Sequence, residues 1–90
     1  MEYFLFTYPE CARCDELKKY LRENSLALGV QEFNLVQKES KLKIREFLGH
    51  VRRDAKGSII IPTMVVREGE QVQAVLNSRQ ELEEWLRLKA

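Results

Sequence analysis

Cysteine is scarce in this chain: two in 90 residues, alongside a single histidine. That scarcity rules out a framework of several disulfides. It also argues against a zinc site within one chain, because Cys11 and Cys14 supply half of a tetrahedral set and His50 lies far from them in sequence. Long apolar runs are missing too. The first apolar-rich run breaks at Tyr8-Pro9, short of the ~7–15 residues of a secretory core and the ~20 of a membrane span. A cytoplasmic location with no membrane partner is therefore expected, in a compartment that keeps thiols reduced. Neither charge dominates, with 15 basic and 14 acidic residues. Phosphate backbones demand a clustered basic excess, so no nucleic-acid partner is expected. There is no linker, repeat or low-complexity segment. Residues 1–90 read as one domain, with an ordinary 44% apolar and 32% charged composition.

The hydrophobic pattern alternates between strand and helix. "EYFLFT", 2–7, is an unbroken β-favouring run that suits a strand buried on both faces. A helical pattern starts at Cys14, with Leu17, Tyr20, Leu21 and Leu28 on one stripe and Gly29 as its stop. "VQEFNL", 30–35, reads as a second strand. Ser40 is the expected cap of a second helix, whose apolar face is Leu42, Ile44, Phe47, Leu48 and Val51. "DAKGS", 54–58, is a loop, and Arg52, Arg53 and Lys56 around it read as a solvated helix end. In "IIIPTMVV", 59–66, Pro62 cannot donate to a ladder, so the third strand should begin at Thr63. "REGE", 67–70, is a tight turn into an edge strand, 71–76. Asn77 or Ser78 caps a last helix, with Leu82, Trp85, Leu86 and Leu88 facing inward and Glu81 completing a capping box. The first three elements require parallel strands and a right-handed crossover, and the hairpin adds two antiparallel strands. The fold class is α/β: a four-stranded mixed sheet with helices on both faces.

Cys11 and Cys14 stand where the first strand gives way to the first helix. A cysteine there meets unpaired backbone N–H groups and the positive end of the helix dipole, which favour its thiolate. Cys11 has that place, and Cys14, one turn on, is more covered. Cys11 is thus the expected attacker of a substrate disulfide, and Cys14 the thiol that resolves the mixed disulfide. Arg13 should support the Cys11 thiolate and Glu10 oppose it, both weakly because both should be exposed.

A CxxC between β1 and α1, with Ile-Pro-Thr about 50 residues later at the start of a hairpin, resembles the thioredoxin superfamily over nearly the whole chain. Size and N-terminal half resemble glutaredoxins, while "PTMVVREGEQ" and "SRQELEEWL" are closer to thioredoxins. The resemblance implies a thioredoxin fold, βαβ-α-ββα, and a thiol–disulfide oxidoreductase acting in redox homeostasis and electron transfer. It makes Pro62 a cis-proline facing the cysteines, although X-Pro frequencies alone favour trans. It lets the backbone of Ile61 pair with an extended substrate. Tyr8, Arg13, Asn77 and Ser78 would complete the substrate site, the last two as a carboxylate holder at a helix N-terminus. Tyr8 stands where glutaredoxins carry Lys or Arg, and Leu76-Asn77 where they carry Gly-Gly. The electron donor is thus left open between glutathione and a thioredoxin-reductase-type enzyme. Implied partners are disulfide-bearing proteins or small molecules, with no bound cofactor, glutathione as a co-substrate, and a monomeric chain. Two other readings of the cysteines stay open: a dimeric module holding a metal or iron–sulfur cluster, and a redox-inactive peptide-binding domain.

Overall fold

A computed structural model describes residues 1–89. Strand β1, Glu2–Thr7, lies in the middle of a four-stranded sheet of order β2-β1-β3-β4. It pairs in parallel with β2, Val30–Asn34, through the crossover helix α1, Ala12–Glu23. On its other side it pairs antiparallel with β3, Thr63–Glu68, which turns through Gly69-Glu70 into β4, Gln71–Leu76. Helix α2, Lys38–Ile44, runs on into a 3-10 turn, Arg45–Phe47, and α3, Arg79–Lys89, ends the described chain.

Side-chain alternation divides the core in two. Leu5 of β1 with Met64 and Val66 of β3 face Leu17 and Leu21 of α1 and Leu82 of α3. Phe4, Phe6 and Val65 point the other way, onto Ile44 and Phe47. Period-two alternation in strands thus sets helices on both faces, and β1 is buried on both as its unbroken apolar run requires. The protein is mixed α/β with three helices.

Several boundaries differ from the sequence expectation, each for a local reason. Helix α1 begins at Ala12, before Cys14, because the Cys11 side chain caps it. It ends at Glu23 and not at Gly29. Ser25 takes a left-handed φ of 58°, and Leu26 N–H reaches back to Leu21 O at 2.8 Å while Ser25 N–H reaches Arg22 O at 3.2 Å. That pair of bonds is a Schellman ending, with Leu26 packed on the cluster that holds Leu21. Leu28 is left in a 3-10 turn at 103% exposure, off the core stripe. A left-handed L-residue costs ~1–2 kcal/mol. Ser25→Gly should therefore raise stability by about 1 kcal/mol, a gain of roughly 4–8 °C in Tm measurable by thermal unfolding.

Ser40 is not the cap of α2. Asn34 Oδ1 accepts from Val36 N–H at 3.1 Å, and that turn starts the helix after Gln37. Ser40 falls inside it, buried, in line with Ile44, Phe47 and Val51 at spacings of four, three and four. Leu42 and Leu48 lie off that line and are exposed, as is Leu88 at the end of α3. The cap of α3 follows the expected pattern: Ser78 Oγ accepts from Glu81 N–H at 3.1 Å, and the Glu81 carboxylate accepts from Asn77 N–H at 2.6 Å. Arg52 pairs with that same carboxylate and holds it below the usual range, against the opposing pull of burial. Among the described residues no helix is long and apolar enough to cross a membrane.

Candidate active site

Cys11 is the N-cap of α1. Its backbone is extended, at φ −115° and ψ 110°, and its Sγ accepts from Cys14 N–H at 3.2 Å. Sulfur here does what a Ser or Asp oxygen does at an ordinary cap: it satisfies an orphan donor at the positive end of a helix. Glu10, at φ 55°, bends the chain from the strand end into this position. Cys11 is half-buried and Cys14 fully buried, and both are free thiols. Burial pushes the Cys14 thiol up to about 11, and its contact with Cys11 adds to the rise. The backbone of Tyr8 and the charge of Lys18 act in the opposite direction.

Behind Cys14, one turn along α1, Lys18 Nζ meets Glu32 Oε2 of β2 at 3.2 Å. The same oxygen accepts from the hydroxyl of buried Thr7 at 2.9 Å. Sequence reasoning did not single out Lys18, although its four-residue spacing from Cys14 is a signal, since such residues share a helix face. Arg13 and Glu10 are both exposed, as expected.

The Ile61–Pro62 bond is cis. Phe6 is opposite Thr63, so Pro62 enters the sheet beside Thr7, at the same end as the loop that carries Cys11. Asn77 secures this segment from within. Its Nδ2 donates to Ile60 O at 3.2 Å, Pro62 O at 3.0 Å and Thr63 Oγ1 at 3.0 Å. The amide nitrogen proposed from sequence as a ligand group is thus occupied in holding the loop, and Asn77 Oδ1 is buried without a partner. Ser78 spends its hydroxyl on the α3 cap.

Tyr8 and Ile61 flank a cleft of about 510 Å³ at the carboxyl ends of β1 and β2. Leu35, Ile44 and Ile59 line its floor, and Lys41, Arg53 and Ser58 complete its wall. Composition could not reveal it, because its residues come from four separate segments. A second cavity of about 210 Å³, between Tyr3, Leu26, Leu82 and Leu86, lies at the far end of β1 and touches neither cysteine. His50 is exposed, and Trp85 packs on the α1–α3 cluster. The described residues gather no group of three or more His, Cys, Asp or Glu that could hold a metal ion. The chain matches no protein-family model, no curated protein and no solved structure.

Proposed function

We propose that the chain is a thiol–disulfide oxidoreductase of the thioredoxin superfamily, glutaredoxin-like in size, that reduces disulfides with Cys11 and Cys14. One observation carries this reading. An accessible sulfur caps a helix on the backbone N–H of a second, buried cysteine, so a nucleophile and its resolving partner share one helix turn. The sheet order β2-β1-β3-β4 and the entry of Pro62 beside Thr7, at the end of the sheet that carries the cysteine loop, support the fold assignment that goes with it.

In the first step Cys11 Sγ attacks one sulfur of the substrate disulfide. A mixed disulfide forms, and the other substrate sulfur leaves and takes a proton. Cys14 then loses its proton and attacks Cys11 Sγ. The Cys11–Cys14 disulfide closes, and the second substrate thiol departs. Two electrons pass from the dithiol to the substrate. An external donor, glutathione or a reductase, restores the dithiol.

The order of attack follows from the environment. Burial first, and then Cys11 itself, keep the Cys14 thiol protonated while Cys11 is free. Once Cys11 is capped by substrate it no longer carries charge against Cys14, whereas Lys18 and the Tyr8 backbone still favour the Cys14 thiolate. Resolution is thus held back until there is something to resolve. The rate of the release step should rise about tenfold per pH unit from about 7 to 9. Rapid-quench analysis of a preformed mixed disulfide measures it. Linkage has a definite sign here. The folded thiol binds its proton more tightly than the unfolded one, so the reduced protein should lose stability as the pH rises from about 9 toward about 11.

The decisive test is equilibration in glutathione and dithiothreitol redox buffers with thiol trapping. A two-electron transition between about −280 and −180 mV is expected for an intramolecular Cys11–Cys14 disulfide. Two thiols that titrate independently, or that never join, would overturn the reading.

A further inference from the structure

We infer that the cleft lined by Tyr8, three residues before Cys11, selects protein disulfides flanked by an acidic, apolar segment. The inference rests on the dithiol reading and names its substrate class. Between residues 38 and 56 the chain carries seven basic side chains against three acidic, whereas the rest carries eight against eleven. The chain is nearly neutral overall, so a dipole of charge sets α2 and the following loop apart. Lys41 and Arg53 bring that charge to the cleft wall, both exposed. Neither forms an ion pair among the described residues, although eight ion pairs occur elsewhere. Arg53 is held in place by its bond to Gly57 O at 2.8 Å. The nearest acid in sequence, Asp54, is turned into its own loop, accepting from Lys56 and Ser58 N–H.

Apart from Ser58 and the Tyr8 hydroxyl, the rest of the cleft is apolar. Leu35 and Ile44 are buried beneath it, and Ile59, Ile61 and the Tyr8 ring complete the lining. Its volume lies in the range of ligand sites, ~300–1,000 Å³. An apolar floor under two unpaired cations fits an aliphatic or aromatic residue next to Asp or Glu. The pairing is complementary in sign and steers encounter as well as binding. Glu10 and Arg13 put one charge of each sign around Cys11, so the unbalanced positive charge that a partner's acid meets is at Lys41 and Arg53 and not beside the reacting sulfur. In the reaction, Cys11 Sγ joins one partner sulfur while the other leaves as a thiol. Cys14 then displaces the first, and the reduced chain supplies both electrons.

The test uses the full chain, reduced and freed of reductant, in single-turnover reactions with matched disulfide peptides. One carries Leu-Glu beside the cysteine and the other Leu-Lys. Glutathione disulfide and an uncharged reporter, hydroxyethyl disulfide, are run beside them. The acidic peptide should react about tenfold faster than the basic one at low salt. The ratio should shrink in 0.5 M salt, where the screening length is only about 4 Å. In Lys41→Glu/Arg53→Glu the ratio should invert. Because it is a ratio within one protein, a general loss of activity does not mimic it. Equal rates for the two peptides would overturn the inference and leave the dithiol reading intact. So would glutathione disulfide outrunning both, since the cleft would then hold a small carboxylate. Failure to reduce even hydroxyethyl disulfide would defeat the dithiol reading, and the inference with it.

Discussion

Cys11→Ser should abolish disulfide reduction, by more than about a thousandfold, while Cys14→Ser should stop the reaction halfway and accumulate a mixed disulfide. The asymmetry comes from the two environments. Cys11 is reachable and bound to a backbone donor; Cys14 is sealed in the core with its thiol raised to about 11. Serine can take over the N-cap bond of Cys11, so the fold should survive and the loss report chemistry alone. Intact-mass analysis after mixing with a disulfide peptide checks both. Cys14→Ser should gain the mass of one peptide half, removable by dithiothreitol, and Cys11→Ser should gain nothing. A Cys14→Ser chain that turned over with glutathione as fast as the parent would point to single-thiol chemistry and remove Cys14 from the mechanism. Labelling on Cys14 in the Cys11→Ser chain would reverse the assigned roles.

Lys18 offers a finer check on the same site. Its charge lies on the side that favours the Cys14 thiolate, and it is anchored by Glu32. Lys18→Gln should slow the release step without slowing formation of the mixed disulfide. The two phases separate in the rapid-quench experiment. A change in the first phase alone would show that Lys18 acts on Cys11 or on the substrate instead.

Which parts of this arrangement could be read from sequence depends on the range of the interaction behind them. β1 was legible because Tyr3 to Phe6, four aromatic and aliphatic residues in a row, leave few alternatives. The start of β3 was legible because Pro62 cannot join a ladder, and the cap of α3 because Ser78 and Glu81 stand at capping-box spacing. Each rests on contacts a few residues long. The end of α1 was not legible, since Gly29 looked like the stop and a serine took the left-handed position. The inward face of α2 was legible only in part. Ile44, Phe47 and Val51 turn to the sheet as expected, but Leu42 and Leu48, placed on the same face, stay exposed while Ser40 is buried, and hydrophobicity alone cannot set the edges of the stripe. The cysteine pair could be found from its spacing. The ties that hold its surroundings could not, because Asn77 reaches across 17 residues to Ile60 and Thr7 across 25 to Glu32.

That difference yields the second large effect. Phe47→Ala should destabilise the protein by about 4 kcal/mol, whereas Leu42→Ala should change stability by less than about 0.5 kcal/mol. Phe47 is 2% exposed, its ring 5.5 Å from Phe4 and 6.1 Å from Phe6. Removing it empties the space between the 3-10 turn after α2 and the sheet. Leu42 is 49% exposed and leaves no cavity. In a 90-residue chain the total is roughly 5–13 kcal/mol, so the first loss is a large share. It should lower Tm by about 15–30 °C, and the second by no more than about 4 °C. Thermal unfolding of both variants tests which of these side chains the sheet receives. If Leu42→Ala cost as much as Phe47→Ala, α2 would be rotated from the position described. Lys41 and Ile44 would then leave the cleft, and the charge that is meant to recruit an acidic partner would face elsewhere. A large difference in the expected direction ties the basic wall of the cleft to the aromatic core beneath it: Phe47 and Ile44 fix the roll of the helix, and the roll brings Lys41 to the side of Tyr8 and Ile61.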